Sequence, residues 1–398
     1  MNKPRVLRII NRFNLGGPTY NVGYLSKYME DEFETLLIGG MKDKSEGSSE
    51  FIIEKLGLNP IIIPEMQREI DFKLDLIAYK KIKKIIAEFN PDIVHTHASK
   101  AGAIGRIAAS GMQVPIILHT FHGHVFHSYF GRAKTTFYKQ VEKYLAKKST
   151  KLIAISDIQK QEISGIHKIA QSNKLKVITL GFDLQRFHDN HSVKRSNFRR
   201  KYKVEDNEVA IGIIGRLVPI KNHILFLKAI KYLQDSSQKK IRAFIVGDGE
   251  LKKDLEQKCK DLGLNFGTGE ENKHVTFTSW IRDVSFVYPG LDIVALTSLN
   301  EGTPVSLIEA QAAEKPVVST RVGGIEDIVV EGGSALLCEV GDTRRMVVHL
   351  QRLIEDPRRR HAMGKVGKAH VVEQYSFNRL VEDMKNLYHT LLREKGIL

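Results

Sequence analysis

The sequence predicts an α/β protein of two doubly wound, Rossmann-like domains that face one central cleft. Short β-rich runs alternate with longer helical patterns, which is typical of parallel sheets covered by helices. Several β-rich runs are continuously apolar, as in Val209–Ile214, and such runs suit strands that are buried on both faces. The chain has 398 residues, enough for two ordinary domains with a core each.

The first half of the chain contains seven predicted strands, and helical patterns separate most of them. The predicted strands are Val6–Ile10, Thr35–Ile38, Pro60–Ile63, Ile93–Thr96, Ile116–His119, Leu152–Ile155 and Lys176–Ile178. The predicted helices include Tyr20–Met29, Leu74–Phe89, Ser99–Ala109 and Ala133–Lys148. A polar, irregular stretch from Gly181 to about Ser196 is the predicted linker, so we place the first domain at residues 1–188.

The second half repeats the same alternation over residues 189–376. The predicted strands are Val209–Ile214, Ala243–Val246, Val275–Thr278, Ile293–Leu296 and Pro316–Ser319, and the predicted helices include Asn222–Leu233, Leu251–Leu262 and Pro304–Ala313. A last helical segment within 377–398 is long enough to cross back onto the first domain. Sheets of this class bind ligands at the carboxyl ends of their strands.

Composition restricts the class of protein. Apolar residues make up 42% and charged residues 27%, as in soluble globular proteins, and the apolar runs are too short to span a membrane. The N-terminus resembles a strand rather than a signal peptide. The two cysteines, Cys259 and Cys338, suggest neither a disulfide framework nor a zinc site. We therefore expect a cytoplasmic protein.

The net charge of +15 is compatible with nucleic acid, an anionic membrane or a phosphorylated substrate as partner. No basic arm or nucleic-acid motif is recognisable, which argues against nucleic acid. Lysines cluster on two predicted helices, at 80–84 and at 134–151, that also carry apolar residues. Those helices present either a solvated face or a surface for peripheral attachment to an acidic membrane.

Two carboxylates, Glu301 and Glu309, frame a predicted loop-to-helix junction. Thr303 is a suitable N-cap and Pro304 suits the first helical position, so a helix is predicted to start there. The free N–H groups of its first turn, with the positive end of the helix dipole, can meet a charged ligand, while the carboxylates accept from sugar hydroxyls. The stretch suits a phosphorylated, polyhydroxylated ligand.

Other marked residues follow predicted strands of the second domain. Arg216 and Lys221 follow the first strand, where two cations would neutralise a diphosphate. Gly215 and Gly247 supply turns that a ligand can approach closely. Trp280, with Ile281 beside it, ends another strand and could border a nucleobase or simply pack.

The first domain contributes glycines and histidines. Gly16 and Gly17 lie between the first strand and the first helix, where backbone amides are accessible to a ligand. His97, His122 and His124 follow two strands, in a spacing that fits no common zinc signature, so no metal is predicted. A polar site wall, with one histidine touching the substrate, is the interpretation we favour.

These motifs together resemble the retaining glycosyltransferases of family 4, which have the GT-B fold. The resemblance covers nearly the whole chain and includes the Gly-Gly loop, His-x-His, the segment from Gly181 to Phe187, Gly-Arg-Leu with a following Lys, Gly-Asp-Gly, and Glu-x7-Glu. It implies that a nucleotide-diphosphate sugar, expected to be a UDP-sugar, is the donor. It implies no cofactor and no metal, which agrees with the missing Asp-x-Asp motif.

The resemblance also assigns roles by matching motif. Arg216 and Lys221 would bind the diphosphate, Glu309 the ribose hydroxyls and Glu301 the donor sugar. His122 would contact that sugar near the reacting centre. The remaining donor-binding residues would be Gly16, Gly17, Gly215, Gly247, Trp280, Ile281, Gly302, Thr303, Pro304 and Val305. Thr303 replaces an apolar residue of many relatives, so the donor, a hexose or an N-acetylhexosamine, stays open.

The stretches 99–106 and 121–130 are similar to a subgroup that builds cell-surface polysaccharides on lipid carriers. The resemblance therefore implies a lipid-linked saccharide acceptor and a location on the inner face of the cell membrane. The acceptor candidates are His97, Lys100, His124 and Phe126. Three alternatives stay open: a GT-B epimerase or hydrolase, an inactive binding subunit, and, more distantly, a basic nucleic-acid-binding protein.

Overall fold

The computed structural model describes residues 3–13, 17–40, 50–67, 69–122, 132–269 and 271–398. The chain divides into two compact units, the first comprising Met1–Phe182 and Tyr375–Leu398 and the second Asp183–Gln374. Within the described ranges, each unit holds one sheet of seven strands, and every pairing is parallel. The predicted class, α/β with two doubly wound units, is confirmed.

In the first unit, the strand order is β3-β2-β1-β4-β5-β6-β7, with β4 in the middle. The strands are β1 (Arg5–Arg12), β2 (Glu34–Gly40), β3 (Ile61–Ile62), β4 (Ile93–His97), β5 (Ile116–Thr120), β6 (Lys151–Ala154) and β7 (Leu175–Val177). The helices between them are α1 (Gly17–Tyr28), α2 (Glu50–Lys55), α3 (Phe72–Phe89), α4 (Ser99–Gly111), α5 (Arg132–Lys148) and α6 (Asp157–Gln161).

In the second unit, the order is β10-β11-β9-β8-β12-β13-β14. The strands are β8 (Val209–Ile214), β9 (Ile241–Val246), β10 (Phe266–Gly267), β11 (Val275–Ser279), β12 (Ile293–Leu296), β13 (Val317–Thr320) and β14 (Ala335–Cys338). The remaining helices of the chain are α7 (His191–Lys201), α8 (His223–Ser236), α9 (Lys252–Asp261), α10 (Val287–Gly290), α11 (Val305–Ala312), α12 (Ile325–Ile328), α13 (Thr343–Glu355), α14 (Pro357–Tyr375) and α15 (Phe377–Glu394).

The cores lie between the sheets and their helices, as the continuous apolar strands require. In the first unit, α15 covers one sheet face, where Met384, Leu391 and Leu392 join Val6 and Ile93. Helices α3 and α4 cover the other face. In the second unit, α8 and α13 pack on the sheet through a large apolar cluster. Several inner strands of both sheets are fully buried, so a ligand can reach these sheets at their carboxyl edges.

Helix α7 (His191–Lys201) is a correction to the prediction, because its first half lies in the stretch that was predicted to be an irregular linker ending at about Ser196. Asn190 is the N-cap residue but its side chain forms no cap hydrogen bond, and the helix is mostly polar, so its sequence shows no clear apolar period. It is held by tertiary contacts instead: Arg195 and Arg199 both pair with Asp292, and Phe198 packs on Phe244. The short strands β10 and β14 were also missed.

Among the described helices, none combines the length and the apolarity needed to cross a bilayer.

Candidate active site

The carboxyl edge of the second sheet has a topological switch point between β8 and β12. Strand β8 pairs with β9 on one side and with β12 on the other, so the loops that leave β8 and β12 diverge from a common gap. The first loop carries Arg216 and Lys221, and the second carries Ser298 and Glu301. Two of the sequence motifs, Gly-Arg-Leu with its following Lys and Glu-x7-Glu, therefore lie at the same edge of the sheet.

Lys221 and Glu301 form the polar centre of this gap. The Lys221 ammonium donates to Oε1 of Glu301, and the Ser298 hydroxyl donates to the same oxygen over 2.5 Å. No donor from the described residues reaches Oε2 of Glu301, which leaves that oxygen available to a ligand hydroxyl. Thr297 fixes the Lys221 loop, because its hydroxyl lies 3.0 Å from the carbonyls of both Lys221 and Asn222.

Arg216 provides a second cation at the same edge. Its side chain is exposed, and within the described part of the chain it forms no hydrogen bond or ion pair. The Lys221 side chain lies beside Gly215, the residue before Arg216, since a Cβ on Gly215 would lie 3.6 Å from Cε of Lys221. Arg216 directly follows Gly215, so both cations belong to the loop that follows β8, and two cations on one loop suit an anionic ligand.

Glycines bring the loops of this edge into direct backbone contact. Gly247 has φ +142°, and a Cβ there would lie 1.9 Å from the carbonyl oxygen of Gly215. Gly323 has φ +53°, and its Cβ would lie 1.8 Å from the carbonyl oxygen of Glu301. Only glycine fits either position. These two glycines therefore allow their loops to pack directly against the backbone of the Gly215 and Glu301 loops.

Helix α11 begins one residue later than predicted. Pro304 is the N-cap residue and Val305 the first helical residue, so Thr303 is not the N-cap. No side chain of the described residues caps this helix, because Pro304 has no side-chain acceptor. The first N–H groups of α11 thus keep their donor capacity for a ligand beside Gly302 and Thr303.

Glu309 lies within α11 and is paired inside the second unit. Its Oε1 accepts from the Arg186 guanidinium over 3.2 Å, and its Oε2 accepts from the Tyr288 hydroxyl over 3.0 Å. Burial raises the pKa of Glu309, while Arg186 and Tyr288 act in the opposite direction. The sequence analysis missed both partners. Arg186 lies in the motif from Gly181 to Phe187, which could have identified it. Tyr288 belongs to none of the motifs found in the sequence.

Trp280 and Ile281 follow β11, further along the same edge. The Trp280 side chain is 56% exposed, so its ring face is available for stacking on a base. Ile281 is partly buried. The β11 end is tied to the neighbouring strand, because the Gly247 N–H donates to the Ser279 carbonyl over 3.1 Å.

The histidines of the first unit are mainly buried at the carboxyl ends of β4 and β5. His95 is fully buried between the Tyr388 hydroxyl and the Thr120 hydroxyl, at 2.7 and 2.8 Å. His119 is likewise buried and lies 2.9 Å from the Thr96 hydroxyl. Both rings thus act as satisfied core groups, and neither is available to a substrate.

His97 and His122 form a hydrogen-bonded pair, with Nδ1 of His97 2.9 Å from Nε2 of His122. Burial lowers the pKa of His122 to about 4, and burial also lowers the pKa of His97 well below its usual value. Both rings are therefore neutral at physiological pH. His97 is buried and His122 is partly exposed, and Nδ1 of His122 is a buried atom without a hydrogen-bond partner among the described residues.

The other predicted residues of the first unit divide into two groups. Lys100 is largely buried and paired with Asp75 over 2.6 Å, so its charge is balanced within the unit. Gly17 is the first residue of α1, so the helix begins earlier than the predicted Tyr20 and includes this glycine. Gly16, His124 and Phe126 lie outside the described residues. Among the described residues, no cluster of three or more His, Cys, Asp or Glu side chains could hold a metal ion.

Comparisons with known proteins match both units. The model of "Glycosyltransferase Family 4" matches residues 16–186, and that of "Glycosyl transferases group 1" matches residues 194–370. The chain is 30% identical, over 84% of its length and 84% of the relative, to UDP-Gal:α-D-GlcNAc-diphosphoundecaprenol α-1,3-galactosyltransferase of Escherichia coli. The chain belongs to glycosyltransferase family 4.

Further relatives agree with this assignment. The family 4 chain is 27% identical to the capsular polysaccharide biosynthesis glycosyltransferase CapM of Staphylococcus aureus, over 84% of its own length and 85% of that protein. Among solved structures, Anabaena HepE in complex with UDP is 20% identical, with a TM-score of 0.79 over 97% of this chain and 100% of HepE. The glycosyltransferase therefore has the GT-B fold.

Proposed function

We propose that this glycosyltransferase moves a hexose or N-acetylhexosamine from a UDP-sugar to a lipid-linked saccharide, with retention of configuration and without a metal. The observation that carries the proposal is the switch point of the second sheet. There the Lys221–Glu301 pair, the exposed Arg216 and the uncapped start of α11 converge. These groups match a ligand with a charged diphosphate at one end and hydroxyls at the other.

Each residue then has a role in the reaction. Arg216 and Lys221 bind the diphosphate and stabilise the negative charge that develops on it as the bond from the sugar C1 to oxygen breaks. Glu301 accepts from sugar hydroxyls through Oε2, and Glu309 accepts from the ribose. The acceptor hydroxyl attacks C1 on the face that the leaving group departs from, and its proton passes to the leaving phosphate oxygen. No enzymic nucleophile is required.

Relatives supply the choice of donor and acceptor. The E. coli relative is named for UDP-Gal and for a diphosphoundecaprenol-linked GlcNAc acceptor, and HepE was solved with UDP. His122 is proposed to contact the donor sugar, as a neutral ring. His97, Lys100, His124 and Phe126 stay proposals for acceptor binding, with His97 supporting His122 through their hydrogen bond.

A lipid-linked acceptor requires access to a membrane, and α5 offers a suitable surface. Phe137 and Tyr144 are more than half exposed on this helix, with Lys147 and Lys148 exposed near its end. Exposed aromatic rings beside lysines suit an anionic bilayer interface. We propose peripheral attachment at the cytoplasmic face.

Co-sedimentation with anionic liposomes at low salt tests this attachment. The unaltered protein should co-sediment, and a Phe137→Ser/Tyr144→Ser double variant should not. If neither the unaltered protein nor the variant binds the liposomes, attachment is contradicted.

A thermal-shift series with UDP, GDP and ADP, run in EDTA, tests the donor site. Saturating UDP at about 100 times its Kd should stabilise the protein by about 2.7 kcal/mol, a shift of several degrees. Glu309→Ala should weaken this response. Stabilisation by GDP or ADP but not by UDP would contradict the proposal that the donor nucleotide is UDP. A strict need for Mg²⁺ would contradict the proposal that no metal is required.

An activity assay then separates transfer from its alternatives. UDP-Gal, UDP-GlcNAc and UDP-Glc are each offered with and without a GlcNAc-diphosphate-lipid. Acceptor-dependent release of UDP, with an α-linked product by NMR, is expected. Release of free sugar or an epimer without acceptor would instead indicate a hydrolase or an epimerase.

A further inference from the structure

Arg186 is placed to control Glu309 within the second unit. It lies on a short 3-10 turn, Gln185–Phe187, and donates to Oε1 of Glu309. Tyr288 donates to Oε2. Each carboxylate oxygen thus has one donor from these two residues, and each keeps the capacity to accept another hydrogen bond. The carboxylate is oriented but not saturated.

Aromatic packing fixes Arg186 in this position. Its guanidinium carbon lies 4.7 Å from the centroid of the Phe187 ring, within the range of a cation–π contact. The Phe187 ring packs edge-on against Tyr288, at 5.5 Å between centroids, and both rings are almost fully buried. Lys194 anchors the turn by donating to the Arg186 carbonyl over 2.6 Å and to the Ser285 hydroxyl over 3.0 Å.

The environment makes the charge on Glu309 dependent on this arginine. Only 13% of the Glu309 side chain is exposed, against 31% for Arg186. Burial disfavours the ionised carboxylate, and Asp283 adds a smaller repulsion. Within the part of the chain that the structure describes, Arg186 is the cation that acts on Glu309, while Tyr288 contributes a neutral hydrogen bond. Burial and Asp283 raise the pKa of Glu309. Without Arg186, the hydrogen bond from Tyr288 is the contact among the described residues that would still lower it.

We propose that Arg186 is a positioning residue for the nucleotide: it keeps Glu309 ionised and directs the free lone pairs of its carboxylate to the ribose hydroxyls. This inference rests on the proposed function, in which Glu309 binds the ribose. Arg186 touches neither the sugar nor the reacting atoms in this scheme. It acts only through Glu309.

A pH dependence follows from this arrangement. Removing Arg186 makes Glu309 harder to ionise, so its carboxyl is protonated at a higher pH than in the unaltered protein. A protonated carboxyl has lost one of its acceptor oxygens, and the ribose then binds less tightly. At high pH Glu309 is ionised in both proteins, so the difference in affinity should shrink.

The experiment is isothermal titration with UDP between pH 5.5 and 8.5, on the unaltered protein and on Arg186→Met. Methionine keeps an unbranched apolar stem over Phe187 while removing the charge. The ratio of the two affinities cancels the titration of UDP itself. We expect the variant to lose more affinity for UDP at pH 5.5 than at pH 8.5, because Arg186 lowers the pKa of Glu309 and its removal leaves burial to raise that pKa.

Two further variants control for structural damage. Arg186→Lys keeps the charge and should recover most of the affinity at pH 5.5. Arg200→Met removes an exposed arginine of α7 whose guanidinium contacts the Asn197 side chain, and it should follow the unaltered protein at every pH. If Arg186→Met does not fold, Arg186→Gln serves in its place.

Each outcome decides between distinct explanations. A constant affinity ratio across the pH range would overturn the positioning role and leave the donor site standing. Tighter UDP binding by Arg186→Met would show that Arg186 competes with the ribose for Glu309, which also overturns the proposal. If the unaltered protein binds no UDP at any pH, the proposed donor fails and this inference fails with it.

Discussion

Lys221 and Glu301 are 80 residues apart in the chain, yet their side chains form an ion pair across the gap between β8 and β12. Both side chains are mostly buried, at 19% and 10% exposure. The charge of Lys221 is therefore largely balanced before any ligand arrives. Arg216, exposed and without a partner among the described residues, supplies the uncompensated positive charge of the site.

Replacing Lys221 by glutamine should remove a cation that binds the diphosphate. It should also leave the negative charge of Glu301 unbalanced beside the phosphates. We expect turnover of the UDP-sugar to fall by roughly 10²-fold or more. Steady-state release of UDP measures this. Lys228→Gln, at an exposed position on α8, is the matched control and should keep full activity. Normal turnover in Lys221→Gln would remove Lys221 from the site.

Two arginines of the second unit should respond in opposite ways to truncation. Arg216→Ala should reduce turnover by on the order of 10²-fold and leave the melting temperature unchanged, because the side chain is exposed. Arg242→Ala should destabilise the protein, because the buried guanidinium donates to the Tyr202 and Lys203 carbonyls. Calorimetry and kinetics on both variants test this. A large stability loss in Arg216→Ala would contradict the assignment.

Gly247→Ala should damage the carboxyl edge of the second sheet. Its Cβ would collide with the Gly215 carbonyl at 1.9 Å, so one of the two loops must move. We expect a loss of more than about 2 kcal/mol in the free energy of unfolding, with weaker UDP binding. Gly263→Ala is the control: its φ is +65°, with no atom within 4 Å of the added Cβ. That variant should lose only about 1 kcal/mol and keep its affinity for UDP.

The buried histidines of the first unit should make stability depend on pH. His122 has a pKa of about 4 in the folded protein, against about 6.5 when unfolded, so the unfolded chain binds more protons in this window. The stabilisation is complete above pH 6.5 and is lost as the pH falls toward 4. Each such histidine costs up to about 1.4 kcal/mol per pH unit in that window.

Denaturant unfolding of the protein at pH 7 and pH 5 measures this loss. His97→Asn keeps an amide where Nδ1 lies but removes one titrating group, so it should lower the pH dependence. Because His97 also contacts His122, the readout is the slope of stability against pH and not the absolute stability at pH 7. If the free energy of unfolding does not change with pH in the unaltered protein, and its slope against pH is the same in His97→Asn, the conclusion that these rings are neutral in the folded protein is contradicted.

Local sequence signals predicted most of this fold. Strands such as Val209–Ile214 and Ile293–Leu296 were predicted to the residue, because a continuous apolar run is a property of the chain itself. Helix α7 was not, because its stability comes from the contacts of Arg195 and Arg199 with Asp292, nearly a hundred residues away. The N-cap of α11 is Pro304 rather than the predicted Thr303, because cap preference alone does not fix the backbone there.

The sequence by itself determined the alternation of strands and helices, the glycines of the tight turns, and the set of charged residues at strand ends. These depend on neighbours a few positions apart. The tertiary structure alone decided that Lys221 meets Glu301, that Glu309 is held by Arg186 and Tyr288, and that His95 is core while His122 is partly exposed. Those relationships depend on strand order and on side-chain burial, which bring distant segments together and set the charge that each group can carry.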